Sequence, residues 1–448
     1  MQAPSTKGLQ QSLFDILNNF QILYFIKSKN HPHASLHFPE IQFSYNISGI
    51  KSNFLIINLE LNINVVIFAK KIYNMISRTI EKIILPFLGT HKAIVIVGAR
   101  QVGKSTLLNT LFKGKTETLW LNGDDNDTQQ LFADITSTRL KALLAGVHTL
   151  LIDEAQRIPD VGMKIKLIVD NIPDIQVVAT GSSAFELTSK INEPLTGRKI
   201  EYQMFPLTFK EMAENSNLLE ELRMIPHRMV YGYYPEIVCN PGKETLLLQE
   251  ISNSYLYKDI LSLDSIHKPD KLVRLMKAIA LQIGSQVSYN ELSQIVGIDI
   301  KTIDKYIDVL EKAYVVFRLG SFARNLRNEL KASRKIYFWD LGIRNALIGN
   351  FNQIENRDDV GALWENYVIS ERMKRNRYEF SYAQSWFWRT QQQQEIDYIE
   401  DKDGSINAYE IKWNANKGKT KPPQSFINSY TNAEFHVITP ENIEQFLM

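Results

Sequence analysis

Between Ala93 and Val97 the chain reads AIVIV, an apolar run without a polar break that stops at Gly98. A short Ile/Val run bounded by glycine is the pattern of a strand buried on both faces. The pattern returns in TLLID at 149–153 and in IQVVAT at 175–180, and TETLWLN at 116–122 is a further strand candidate. Apolar residues fall at helical spacing from Val161 to Asn171. Alternating strands and helices predict an α/β fold: a parallel sheet with helices on both faces.

From Lys271 the spacing changes. LVRLMKAIALQIGS and QVSYNELSQIVGIDIKTIDKYIDVLEKAYVVFRLG mark three helices, with Gly297 in the turn between the second and third, followed by strand-like pieces around VVFRL and KIYFW. Helix, turn, helix and wing is the expected arrangement. Near the end, EIDYIE (395–400) and AYEIKW (408–413) alternate with period two around the turn signal DKDG, which predicts a hairpin.

Residues 1–74 are rich in Ile, Asn and Phe and end at Met75, just before the helix-like ISRTIEKIILPFL. They read either as a strand-rich extension or as sequence upstream of a natural start at Met75. Their apolar stretch from Phe54 to Ala69 is short for a membrane span and carries Glu60 and three asparagines, so no membrane helix is expected.

At 448 residues, two or three domains are expected. The net charge of +2 gives no global pull toward nucleic acid, so any such contact needs a local patch. Cys239 is the only cysteine, which excludes an intrachain disulfide and a multi-cysteine zinc site. With no charged segment leading into an apolar run at the start, a cytoplasmic protein is expected.

The first candidate chemistry follows the AIVIV strand. Gly98, Ala99, Arg100, Gln101, Val102, Gly103, Lys104, Ser105 and Thr106 stand between a strand and a helix, the context that a phosphate-binding loop requires. The two glycines let successive N–H groups point into one concavity, and the helix start adds the positive end of its dipole. Lys104 would reach the β- and γ-phosphates of ATP, and the Ser105 hydroxyl would ligate Mg²⁺.

TLLIDE ends in two carboxylates. Asp153 would hold Mg²⁺, usually through its water, and Glu154 would polarise the attacking water as general base. Thr180, Ser182 or Ser183, at the end of the IQVVATGSS strand, sits where a polar group could sense the γ-phosphate. The chain lacks an Asn-Lys-x-Asp guanine reader and an LSGGQ-type signature, and the carboxylate pair with a polar strand tip resembles the AAA+ group of ATPases. Arg198 is a candidate arginine finger or sensor, in cis or from a neighbouring subunit of a homo-oligomer; a salt-bridged surface arginine is the competing reading.

The second candidate chemistry lies in the terminal hairpin. Glu410 and Lys412 share one strand face, Asp397 comes from the preceding strand, and Glu365 from the helix-like GALWENYVISERM. Asp397 with Glu410-x-Lys412 is the PD-(D/E)xK pattern of the restriction-endonuclease-like fold, in which carboxylates hold a metal and a lysine stabilises charge. Arg318, Arg324, Arg327, Lys331, Arg334 and Lys335 face only Glu329, so segment 318–335 is the expected backbone-contacting patch for DNA.

The order GARQVGKST, LLIDEAQRIPD, ATGSSAFEL, LTGRKIEYQMFPLTFKEM, KIYFWDLGIRNAL, GALWENYVISE, EIDYI and EIKW resembles a large prokaryotic family of AAA+-like ATPases with a C-terminal domain of restriction-endonuclease-like fold. The resemblance covers about Met75 to the C-terminus. It implies ATP binding and hydrolysis by Lys104, Ser105, Asp153 and Glu154, with ATP and Mg²⁺ as cofactors. DNA is a candidate partner through segment 318–335 and the C-terminal domain. The expected division is 1–74 extension, 75–212 ATPase domain, 213–270 helical lid or linker, 271–335 winged-helix-like module and 336–448 restriction-endonuclease-like α/β domain.

Overall fold

The computed structural model describes residues 76–133, 135–182, 195–253, 266, 268–322, 334–414 and 421–448. Both readings of 1–74, the stretch Phe54–Ala69, and residues Ser183, Arg324, Arg327, Glu329 and Lys331 lie outside them.

The N-terminal part is built on β1 (Ala93–Val97), β2 (Thr118–Asn122), β3 (Thr149–Asp153), β4 (Gln176–Gly181) and β5 (Lys199–Gln203). They form one parallel sheet in the order β2-β3-β4-β1-β5. Every residue of β1 and β4 is buried, as expected of central strands covered on both faces. Because all five strands run the same way, the loop after β1, the acid pair ending β3 and the polar end of β4 reach one edge. That carboxyl edge is where open α/β sheets bind ligands.

The C-terminal part holds a second, mixed sheet of β6 (Gln286–Val287), β7 (Val316–Ser321), β8 (Arg334–Phe338), β9 (Gln384–Arg389), β10 (Glu395–Lys402), β11 (Ser405–Ile411) and β12 (Glu434–Ile438). Its order is β12-β11-β10-β9-β7-β8-β6. β10 and β11 form the hairpin, with Tyr398 opposite Tyr409. Helices Pro269–Leu281, Tyr289–Val296 and Ile300–Lys312 precede β7, and Gly297 caps the second in the left-handed region at φ 75°. The strands expected to form a separate wing belong to this larger sheet: β7 pairs in parallel with β9. The boundary expected at 335/336 therefore falls inside β8.

The Asn345 amide donates to the carbonyls of Met229 and Val230 at 3.0 and 2.8 Å, and Tyr233 N donates to Asp340 at 2.7 Å. These bonds dock helix Leu218–Tyr231 and the turn after it onto segment 340–348.

Helix Val360–Tyr378 joins the two parts. Its buried residues include Leu363, Trp364, Tyr367, Ile369, Glu371 and Tyr378, so it is enclosed on most sides rather than amphipathic. Asn366 exchanges two 2.8 Å hydrogen bonds with the Phe338 backbone, and Glu371 accepts from Phe209 N at 2.7 Å. Among the described residues no helix is long and apolar enough to cross a membrane.

Candidate functional site

The loop after β1 turns on two special backbone positions. Gly103 has φ 98° and Gln101 has φ 62°, both left-handed, and Gly103 then caps helix Lys104–Phe112. Alternation of right- and left-handed residues aims successive N–H groups at one point, which is how backbone makes an anion cradle. Gly98 is required for a different reason, because a Cβ there would overlap the Met204 carbonyl. Lys104 is buried, and its ammonium donates to the carbonyls of Gly98 at 3.0 Å and Ala99 at 2.8 Å, so the charge is held at the loop itself. Val102 is buried, Ser105 is half-buried, and Arg100, Gln101 and Thr106 are exposed.

Next along the edge, Asp153 is buried and its Oδ1 accepts from the Thr180 hydroxyl and, at 3.2 Å, from Glu154 N. These bonds fall on one oxygen, and Oδ2 meets no donor among the described residues. The Ser105 hydroxyl and the Asp153 carboxylate are the hard oxygen donors that Mg²⁺ takes, so the residues fit that ion. Glu154 sits in the left-handed region at φ 48°, a strained position for a side chain other than glycine. Its Oε2 accepts from Ser182 Oγ at 3.0 Å and from Gln156 Nε2 at 2.6 Å, while Gln156 Nε2 also lies 2.9 Å from Ser182 Oγ. Gln156 has no role in the sequence reading. Its signal was its place in DEAQ, two residues after the glutamate, where a tight turn folds the chain back.

Arg198 is elsewhere. It precedes β5, and its carbonyl accepts from Ala93 N at 2.9 Å, at the amino end of β1. A five-residue strand, roughly 16 Å, separates that edge from the glycine loop. Its guanidinium is salt-bridged to Asp170 at 2.5 Å, with both side chains more than a third exposed. The expected finger or sensor in cis is thereby corrected: the parallel direction of β5 puts Arg198 at the wrong end.

In the second sheet the hairpin brings three expected residues together. Lys412 Nζ lies 3.3 Å from Asp397 Oδ2 and 2.9 Å from Glu410 Oε1, and Ile411 N donates to Asp397 Oδ2 at 2.8 Å. Burial alone would lower the Lys412 pKa, but its pairing with Asp397 and Glu410 outweighs this and raises it. Glu365 reaches the same neighbourhood and is already engaged: Lys335 Nζ is 2.9 Å and the Tyr337 hydroxyl 2.6 Å from its Oε1. Lys335 is fully buried and also pairs with Glu395, which binds Arg389 at 3.0 Å. Asp397 and Glu410 have the donor chemistry for a hard divalent ion, with Lys412 beside them. Among the described residues, however, no group of three or more His, Cys, Asp or Glu is placed to hold a metal ion.

Lys335 was expected in a solvent-facing basic patch and is instead the buried counter-ion of this cluster. Arg318 is likewise committed: it pairs with Asp304 at 3.0 Å, with Glu311 at 2.8 Å and with Asp308, all on helix Ile300–Lys312. Arg334 lies 3.6 Å from Asp304. The charge count along 318–335 missed these acids because they belong to the preceding helix. The described cations of that segment therefore do not form a free patch.

Comparison with known proteins bears on the first site. Residues 90–213 match the family model described as an AAA domain. Over this segment the chain is similar to AAA-type domains, in keeping with the strand, glycine loop and helix described above. Residues 222–354 and 360–445 match two models described as domains of unknown function, DUF8612 and DUF4143. The first of these spans the boundaries expected at 270/271 and 335/336. The chain is 24% identical over 357 residues to an uncharacterised protein of Mycobacterium tuberculosis, covering 78% of this chain and 77% of that one. It is 28% identical over 320 residues to an uncharacterised protein of Haemophilus influenzae, covering 64% and 78%. Among solved structures it is similar to a Walker-type ATPase of Pyrococcus abyssi, with 14% identity, 61% of this chain and 96% of that chain covered, and a TM-score of 0.44.

Proposed function

We propose that this protein is a Mg²⁺-dependent ATPase. The observation that carries the reading is the meeting of the glycine loop, Asp153 with Thr180, and Glu154 with Ser182 at one edge of the parallel sheet. Lys104 would bind the β- and γ-phosphates, with the N–H groups of 99–106 around them. Ser105 and Asp153 would hold Mg²⁺, which when bound would neutralise charge developing on the phosphates. Glu154, oriented by Gln156 and Ser182, would take the proton of the attacking water. The test is steady-state ATP hydrolysis with and without Mg²⁺. Glu154→Gln should abolish turnover and keep ATP binding; turnover equal to the wild type would overturn this assignment.

A second reading concerns the C-terminal part and rests on the convergence of Asp397, Glu410 and Lys412. In this reading the part has a restriction-endonuclease-like fold, is fed by a winged-helix-like module and acts on or near DNA. A divalent ion held by Asp397 and Glu410 would lower the pKa of its bound water. Incubation of plasmid and linear DNA with Mg²⁺ or Mn²⁺, with and without ATP, tests it. Cleavage lost in Asp397→Ala supports an ATP-regulated nuclease. Absence of cleavage with ATP hydrolysis intact favours a non-cutting, ATP-gated switch that binds a partner.

A further inference from the structure

Behind the glycine loop lies a buried cation that the proposed chemistry leaves unused. Arg78 precedes helix Thr79–Ile84, and its side chain is 9% exposed. Nη1 donates to the Val102 carbonyl at 2.7 Å, Nη2 to the Phe205 carbonyl at 2.7 Å, and Nε lies 3.2 Å from Glu211 Oε1. Glu211 is itself fixed, because Oε1 accepts from Thr79 N at 2.7 Å and Oε2 from Thr208 N at 3.0 Å. An arginine with three fixed partners in so enclosed a place has little freedom to move.

The contact with Val102 has a geometric consequence. In a planar trans peptide the C=O and the following N–H point in opposite directions. A Val102 carbonyl drawn toward Arg78 therefore turns the Gly103 N–H to the other side of the loop, into the concavity where phosphates would sit. Gly103 has φ 98°, in the left-handed region that lets the chain follow. Without the arginine, the Val102 carbonyl would be a buried acceptor with a lost partner, and rotation of this peptide would remove a donor from the cradle.

The other side of the network belongs to the C-terminal helix. Phe205 N donates to the Tyr378 hydroxyl at 3.2 Å, and Phe209 N donates to Glu371 Oε2 at 2.7 Å. Glu371 is paired with Lys374 at 2.6 Å. Segment 204–209 thus has the glycine loop on one side, through Arg78 and through Met204 N, which donates to Val97 O at 2.7 Å. Helix Val360–Tyr378 lies on the other, and the same helix carries Glu365 of the acid–lysine cluster.

We propose that Arg78 is a positioning residue of the nucleotide site, acting through the Val102 carbonyl to hold the Gly103 N–H toward phosphate, and that it ties loop occupancy to helix Val360–Tyr378 through Phe205. This rests on the glycine loop being the nucleotide site.

The experiment titrates a fluorescent ATP analogue into the full chain and its variants Arg78→Met, Arg78→Lys and Tyr378→Phe. Amide hydrogen exchange of 360–378 is measured in parallel, with and without ATP. Arg78→Met should weaken ATP binding by about tenfold or more, the scale of one charge-assisted hydrogen bond. Arg78→Lys, which keeps the charge but not three fixed donors, should recover only part of it. Tyr378→Phe removes one hydroxyl from a buried ring and should fold. It should bind ATP about threefold more weakly and lack the ATP-induced protection of 360–378 that is expected in the wild type. Should Arg78→Met not fold, Arg78→Lys and Tyr378→Phe decide. Wild-type affinity in the folded Arg78 variants, or the same exchange change in Tyr378→Phe as in the wild type, would overturn the inference. A wild-type chain that does not bind the analogue would overturn the nucleotide reading itself.

Discussion

Ser182 Oγ and Glu154 Oε2, twenty-eight positions apart in sequence, are joined by a 3.0 Å hydrogen bond. Gln156 reaches the same oxygen from 2.6 Å, so the carboxylate is fixed from two sides. A base held this way loses little entropy on reaching its productive geometry. Ser182→Ala and Gln156→Ala should each lower kcat by about tenfold and leave ATP affinity within about twofold, because each removes one orienting hydrogen bond and no proposed phosphate contact. Equal losses in kcat and affinity would instead place these side chains against the nucleotide.

Thr180 fixes the other carboxylate through Asp153 Oδ1. Thr180→Val keeps the shape of the side chain and removes the hydroxyl. Asp153 should then sample other rotamers, and the Mg²⁺ concentration giving half-maximal hydrolysis should rise by roughly tenfold, the scale of a hydrogen bond to a charged group. An unchanged Mg²⁺ dependence would remove Asp153 from the metal's surroundings.

Arg198→Ala tests the correction made from strand direction. An exposed ion pair with Asp170 contributes about 1 kcal/mol or less. ATP turnover should stay within about twofold at low protein concentration, and thermal stability should barely change. A loss of a hundredfold would mean that a neighbouring subunit presents Arg198 to the nucleotide in trans.

Glu365 supplies a pH signature. Burial pushes its carboxyl from 4.5 up to about 7; Lys335 pulls it down, and the Asp397 charge pushes it up again. Tyr337 and Glu395 face the same cluster. The folded chain therefore binds this proton more tightly than the unfolded chain does. The stabilisation is complete below 4.5 and is lost as pH rises through about 7. Glu365→Gln removes the titration, so the melting temperature of the variant should gain on that of the wild type across this window. A difference independent of pH would show that Glu365 keeps an ordinary carboxylate pKa.

Legibility in the sequence followed the range of the interactions. The parallel sheet and the terminal hairpin were readable because β1, β3, β4, β10 and β11 carry their own periodicity and turn signals. The turn from strand to helix at 98–106 was readable because its glycines and the flanking apolar runs lie in one peptide segment. What depended on distant pairing was not. Lys335 looks like a solvent-facing cation until β8 is laid beside helix Val360–Tyr378, and Arg318 looks free until the acids of helix Ile300–Lys312 are folded over it. Arg198 could be placed only once β5 was known to run parallel to β1. Arg78 carried no signal of its own, since an arginine at a helix start is unremarkable until it is found on the Val102 carbonyl.

A loop from Gly98 to Thr106 that binds ATP for hydrolysis at the carboxyl edge of the first sheet should depend on Lys104. Calorimetric titration of ATP·Mg²⁺ into the full chain and into Lys104→Ala, with phosphate release from both, tests it most directly. One saturable site with measurable turnover is expected in the wild type, and loss of both in a folded Lys104→Ala. Undiminished ATP affinity in Lys104→Ala would contradict it.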